Sequence, residues 1–216
     1  MRPFSTFALG AKVGTLGAGI EIATPLARSF NLRAIGNYAS LRPAFTIDGI
    51  NYSTRVAFQS GQLGIDWFPF HGGFHISPGA LYFHNNLSGT VEVDPGKPFH
   101  LDHVNYINSV DDPVSGIVSI TYKQHIAPSL MIGFSNIIPR SGKHFSVPLE
   151  FGAAYTQAPY MDVKIAGTAC TNQGCFDAAT DSATQANLKA EVKTLNETVS
   201  KLPVYPIVSL GFAIRF

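Results

Sequence analysis

The last twelve residues, YPIVSLGFAIRF, divide into two faces. Val208, Leu210, Phe212, Ile214 and Phe216 share one, and Ser209, Gly211, Ala213 and Arg215 the other, so the period is two and the segment is a strand. The bulky face is unbroken and the opposite face is small or charged, the inverse of a sandwich strand that turns long polar side chains to water. The pattern recurs upstream. Leu63, Ile65 and Trp67 oppose Gln62, Gly64 and Asp66; Phe145, Val147, Leu149, Phe151 and Tyr155 oppose Ser146, Glu150, Gly152 and Thr156; Phe30 and Leu32 oppose Asn31 and Arg33. Long strands are expected over 30–46, 51–68, 73–94, 117–136, 144–166 and 204–216.

Short and long connections alternate between these strands. PLARSFN (25–31), FPFHGGF (68–74) and IPRSGKHF (138–145) are compact and carry the Gly, Pro, Asn and Ser that hairpin turns demand, so all three are expected at one end of the molecule. TIDGINYST around 48, the polar stretch 94–116 and the segment 167–203 are longer and belong at the other end. Short turns at one end and long loops at the other are the layout of an outer-membrane barrel, with the short turns in the periplasm. In the last loop Leu188, Val192, Leu195, Val199 and Leu202 recur at helical spacing until Pro203, predicting a short helix.

The opening segment decides the strand number. Its bulky residues are odd-numbered at first (Phe7, Leu9, Val13) and even-numbered later (Ile20, Ile22), so the phase breaks across GTLG at 14–17. A hairpin turn there makes eight strands and a β-bulge makes seven. Both termini at the periplasmic end require an even count, which favours eight.

Composition changes the picture in one respect. Charged residues are 13% of the chain, against about 25% in ordinary soluble domains. The mean hydropathy is +0.13, yet no run reaches the roughly 18 apolar residues of a membrane helix. Apolar character is therefore spread over alternating strands. With 15 basic and 14 acidic residues and no basic cluster, nothing points to nucleic acid. The 216 residues suit one domain.

A soluble barrel with an apolar interior alternates too, and three features favour a membrane instead. The polar face is rich in Gly, Ala and Ser, which suit a crowded narrow lumen better than a solvated surface. Aromatic residues (Phe30, Trp67, Phe68, Phe70, Phe74, Phe145) gather beside the short turns, where an interfacial girdle belongs. The third feature is the closing strand itself. Its apolar residues at alternate positions ending in Phe216 resemble the carboxy-terminal signature of outer-membrane β-barrels, and that resemblance implies recognition of Val208, Leu210, Phe212, Ile214 and Phe216 by the barrel-assembly machinery.

The resemblance extends over GAKVGTLGAGIEIATPLARSFNLRAIGNY, FPFHGGFHISPGALYF, IPRSGKHFSVPLEFGAAY and YPIVSLGFAIRF. Together these look like small bacterial outer-membrane β-barrel proteins with the layout of the outer membrane protein A and W barrels. The expectation is thus an all-β, transmembrane, antiparallel up-and-down barrel in the outer membrane, one domain over 1–216, surrounded by lipid and lipopolysaccharide. The fold implies no activity, since one barrel hosts many. MRPFSTFALG has no apolar stretch of a signal peptide, so the sequence reads as mature or truncated.

Several residues invite chemistry. Cys170 and Cys175, in ACTNQGC, are expected to form a disulfide in an exported loop; a metal pair would need two further ligands. FHIS offers His75 and Ser77 at the spacing of the base and nucleophile in lipid A deacylases, but both fall on the lumen side near the periplasmic turn, which favours interior hydrogen bonding. His84, His100, His103 and His125 lie in or near the second long loop, where solvation accounts for them better than a metal site in HLDH. No cofactor is implied.

The inward positions carry the stronger signal. Lys12, Glu21, Arg33, Asp66, Glu150 and Arg215 all take the phase of the lumen, three basic against three acidic. Buried charges persist when paired, so an ion-pair network filling the barrel is expected, with Arg33 or Arg215 as the partner of Glu150. The reading that follows is a non-enzymatic structural or surface-interaction barrel, any extracellular ligand being met by its long loops; a narrow channel for small or hydrophobic molecules is the alternative, and a lipid-modifying enzyme the remoter one.

Overall fold

The computed structural model describes residues 2–42, 44–47, 50–84, 86–139 and 144–216. Eight antiparallel strands form the barrel: β1 (Ala8–Gly14), β2 (Gly17–Ala27), β3 (Phe30–Leu41), β4 (Ile50–Trp67), β5 (His75–Phe83), β6 (Ile126–Phe134), β7 (Leu149–Tyr155) and β8 (Val204–Arg215). Each pairs with its sequence neighbour, and β8 returns to β1 with Ala8 opposite Arg215 and Gly14 opposite Ser209, which closes the cylinder. Closure leaves no open edge in the wall, as a membrane barrel needs.

The phase break at 14–17 is a hairpin turn. Gly14 faces Gly17 across it, and Thr15 and Leu16 form the tip. Gly17 holds a φ of +98, and a Cβ there would stand 2.6 Å from the Tyr38 carbonyl oxygen, so only glycine fits. Eight strands, rather than seven, result.

Outside the barrel the alternation exposes Ile20, Ile22, Leu63, Ile65, Leu130, Phe151, Leu210 and Phe212, a band of apolar side chains with no protein against it. Exposed Phe30, Trp67, Phe134 and Phe145 border this band at the turn end, and Tyr38, Tyr82 and Tyr155 at the loop end. Such aromatic borders sit at the two faces of a bilayer. Phe68 departs from the expected girdle. It is fully buried, with its ring 5.2 Å from that of His75, because its position continues the inward phase of Gln62, Gly64 and Asp66, while the turn beyond it, from Phe70 to Gly73, is exposed.

The staves are not equally tall. A strand needs about 9–11 residues to cross a membrane, whereas β4 has 18, and its upper half projects beyond the rim. There it joins Ala44–Ile47 on one side and Asn86–Val93, Ser115–Thr121 and Tyr160–Ala166 on the other, in that order. The strands expected over 73–94, 117–136 and 144–166 are therefore each interrupted at the rim. Below the break they belong to the cylinder, and above it to this projecting sheet; Gln157, at a φ of 60, marks one such break.

A second, four-stranded sheet, ordered Gly174–Asp177, Thr168–Thr171, Val104–Asn108, Pro98–Leu101, packs beside the first. Cys170 and Cys175 are directly opposite in its terminal hairpin and form a disulfide. Val93, Phe99, Tyr106, Val114, Ala169 and Ala178 make the core of this cap. Buried Asn108 ties the layers: its Nδ2 donates to the Val93 carbonyl at 2.7 Å while its Oδ1 accepts from the Val114 amide at 2.6 Å.

The expected helix is α1 (Ser182–Val199), capped by Asp181, whose side chain accepts from the Thr184 amide. Leu202 lies beyond its end and is exposed. Asn196 anchors α1 to the edge strand Tyr160–Ala166, accepting from the Met161 amide at 2.8 Å and donating to the Met161 carbonyl at 2.9 Å. One side chain thus occupies both hydrogen-bonding groups that an edge strand leaves open at that residue. No helix among the described residues is long and apolar enough to cross a membrane.

Candidate functional site: the lumen and its cap

The lumen is filled in three layers. The middle layer is ionic, and seven of the eight staves contribute to it: Lys12 from β1, Glu21 from β2, Arg33 from β3, Asp66 from β4, His75 and Ser77 from β5, Glu150 from β7 and Ser209 from β8. Lys12, Glu21, Arg33, Asp66, His75 and Glu150 are each no more than 7% exposed, so these charges meet one another and not water.

Glu150 is the hub. Its Oε2 accepts from Lys12 Nζ at 2.7 Å and from the Ser209 hydroxyl at 3.3 Å, and its Oε1 faces both Arg33 Nη1 and His75 Nε2. Arg33 Nη2 lies 3.0 Å from Asp66 Oδ1, which also accepts from the Ser77 hydroxyl at 2.6 Å. Glu21 has no hydrogen-bond donor among the described residues; Arg33 at 3.5 Å and Lys12 at 3.8 Å hold it by charge alone. Both ring nitrogens of His75 face oxygen acceptors, Glu150 at 3.2 Å and the Gly73 carbonyl at 3.3 Å, and an imidazolium would donate to both.

The missing stave, β6, contributes space. Gly133 stands opposite both His75 and Glu150, and a Cβ on it would fall on the His75 ring. The same logic runs round the wall: Arg33 sits between Ala23 and Gly64, and Glu21 opposite Gly10. Small residues flank the long charged ones because an eight-stranded barrel is just wide enough for its side chains.

Arg215 does not join this network. It donates to the Pro139 carbonyl at 2.9 Å at the turn end. Ser209 is the β8 residue level with Glu150, and six further residues of strand carry Arg215 about 20 Å away, beyond the reach of any side chain. His75, at 3.2 Å from Glu150 Oε1, occupies the place beside Glu150 that sequence phase offered to Arg215.

Largely apolar layers close both ends, the cap-end one interleaved with the buried polar pairs Asn37–Ser60 and Gln62–Ser129. Toward the cap, Leu16, Leu81, Phe83, Met131 and Ile207 pack together under Tyr122 and Tyr205, with the Phe83 and Tyr122 rings edge to face at 5.2 Å. Toward the turns, Ile137 and Ile138 fold up against Ala8, Ala23 and Ala213. Asn136 fixes that connection, its Oδ1 accepting from Asn31 and from the Ile138 amide. The segment expected as a plain turn over 138–145 is thus in part an inward plug; its residues 140–143, and residues 48–49 of TIDGINYST, lie outside the described residues. Between Lys12, Asn37, Gln62, Ile207 and Ser209 there remains a void of about 10 Å³, at the lower limit for a single water.

These apolar layers escaped sequence reasoning, although their signal was available. Leu81 and Phe83 share the odd-numbered phase of His75 and Ser77, so the inward face of β5 changes from polar to apolar along one strand.

His75 and Ser77 are not arranged as base and nucleophile. The Ser77 hydroxyl donates to Asp66, and His75 faces Glu150. Elsewhere His84 and His125 bring their rings to 5.8 Å, and exposed His103 lies 3.7 Å from Asp102. No group of three His, Cys, Asp or Glu side chains placed to hold a metal ion occurs among the described residues.

Among solved structures the chain is similar over all of its length to CarO of Acinetobacter baumannii, covering 98% of that chain at 22% identity with a TM-score of 0.68. CarO2 of the same organism is covered completely at 19% identity, with a TM-score of 0.69. The fold is that of these outer-membrane barrels. With its apolar exterior and aromatic borders, the chain is an outer-membrane protein. A major outer membrane protein from Thermus thermophilus, at 14% identity and a TM-score of 0.41, is too distant to argue from. No family model and no curated protein matches the sequence.

Proposed function

We propose that this is a non-enzymatic barrel with a structural or surface-interaction role, in which the lumen is a packed core and the cap is the part that meets molecules outside the cell. The observation that carries this reading is the filled lumen: an ionic layer closed above by Leu81, Phe83 and Met131 and below by Ile137 and Ile138. A conducting path would need a water column where side chains already touch. The folding of the longest loops into a cap with its own core supports the second half of the proposal. A kinship with the outer membrane protein A and W barrels fits the strand layout. Lipopolysaccharide is the expected neighbour of the exposed band, and the assembly machinery the expected reader of Phe216.

Planar-bilayer recording of the purified protein tests this. We expect no stable, ion-selective conductance. Steady unitary currents from the folded protein would replace the proposal with a narrow channel.

A further inference from the structure

Between α1 and the inner face of the projecting sheet lies a cavity of about 300 Å³. Val93, Val118 and Ile165 line it from the sheet, and Leu188, Val192 and Leu195 from the helix. Packed interiors leave few voids larger than a water, so an opening this size between two well-formed layers is a feature of the cap, not slack in it. It falls at the lower end of the range of small-molecule sites. At about 30 Å³ per heavy atom, the share a water takes in the liquid, it accepts roughly ten non-hydrogen atoms.

The chemistry of the walls narrows the occupant. His100 and Glu191 are the polar side chains among the lining residues; the rest is hydrocarbon, Phe99 and Gly116. His100 is exposed and Glu191 half-buried, so the polar pair stands where the cavity meets solvent. A ligand must therefore bury an apolar body and leave any polar group at that rim. Glu191 accepts a hydrogen bond from a hydroxyl and repels a carboxylate. None of the described residues inside could pair with a buried charge, which disfavours charged bodies.

We infer that the cap carries a binding site for a small uncharged molecule, an apolar body of about ten heavy atoms with a single hydroxyl seated between His100 and Glu191. This rests on the reading of the cap as the interacting part of the protein.

The test uses the full chain in bilayer nanodiscs, with methyl groups of Leu, Val and Ile labelled for NMR and 2-phenylethanol as the probe. Leu188, Val192 and Leu195 methyl signals should shift saturably, while lipid-facing Leu9, Leu63 and Leu210 drift only in proportion to added probe. Phenylacetate, of similar size but anionic, should bind at least tenfold more weakly, and E191Q should narrow that gap. V192F should abolish saturation by filling the cavity. Drifts shared by cap and wall methyls, or equal binding of alcohol and carboxylate in the wild type, would overturn the inference. Bilayer recordings separate the two claims: a closed barrel without saturable binding leaves the proposed function standing, and a conducting barrel with it leaves the site standing.

Discussion

Lys12 Nζ lies 2.7 Å from Glu150 Oε2, joining β1 to β7 across a lumen in which β8 separates them along the wall. The two residues are 138 positions apart, and no local preference of the chain brings them together; only closure of the barrel does. Glu150 accepts at the same time from Arg33, so two buried cations share a single carboxylate. Replacing it should be costly. Glu150→Ala leaves Lys12 and Arg33 short of their shared partner, and we expect a loss of about 3–5 kcal/mol, read as a lower urea midpoint of the folded barrel. An unchanged midpoint would show that the layer is solvated.

Gly133→Ala places a methyl group on the His75 ring. Overpacking of this kind costs about 1–3 kcal/mol. His75→Ala in the same chain should recover part of that loss, so the two substitutions should be non-additive by about 0.5–3 kcal/mol in a double-mutant cycle of urea unfolding. Strict additivity would separate the two residues in space.

Asn196→Ala removes both hydrogen bonds that tie α1 to Met161. The helix should loosen while the barrel stays intact, because no stave depends on that contact. Proteases should then cut within 182–203 faster than in the wild type, with the heat-modifiable mobility of the barrel unchanged. Equal cutting rates would mean that apolar packing alone holds the helix.

The Asp181 carboxylate is held below the ordinary aspartate value of 3.8, chiefly by the Thr184 amide that it caps, with the Thr184 hydroxyl adding to it. A depressed folded value means that the cap's stabilisation is fully present above the unfolded value and is lost as pH falls through the lower, folded one. Helical chemical shifts over the first turn of α1 should therefore hold down to the ordinary aspartate value of 3.8 and collapse only as pH falls below it. Asp181→Ala should show a weaker first turn already at pH 5 and no such transition. The residue is exposed, so the effect stays local to the helix.

Phe216 follows directly on β8 beside β1, its amide donating to the Phe7 carbonyl at 2.8 Å, with its ring largely exposed on the outer wall. If Phe216 addresses the chain to the assembly machinery, deleting it should lower the heat-modifiable barrel recovered from the outer membrane severalfold at constant synthesis. Equal recovery would assign the ring to lipid contact only.

Strand period alone determined much of this protein. Alternation with bulky residues outside and small or charged ones inside identified the staves, the phase break at 14–17 marked the extra hairpin, and the inward phase picked out Lys12, Glu21, Arg33, Asp66 and Glu150 as facing the lumen. Those are local properties, because a strand sends alternate side chains to opposite faces wherever it lies. Height along the barrel axis is not local. It depends on the register of each pair around a closed, tilted cylinder, which is why Arg215, correct in phase, lies a barrel's length from Glu150, and why His75 takes the place beside it. The three-layer filling, the plug of Ile137 and Ile138 and the cavity between α1 and the projecting sheet likewise arise from segments distant in sequence. Their residues touch only once closure and loop packing have set heights and distances that no single strand encodes.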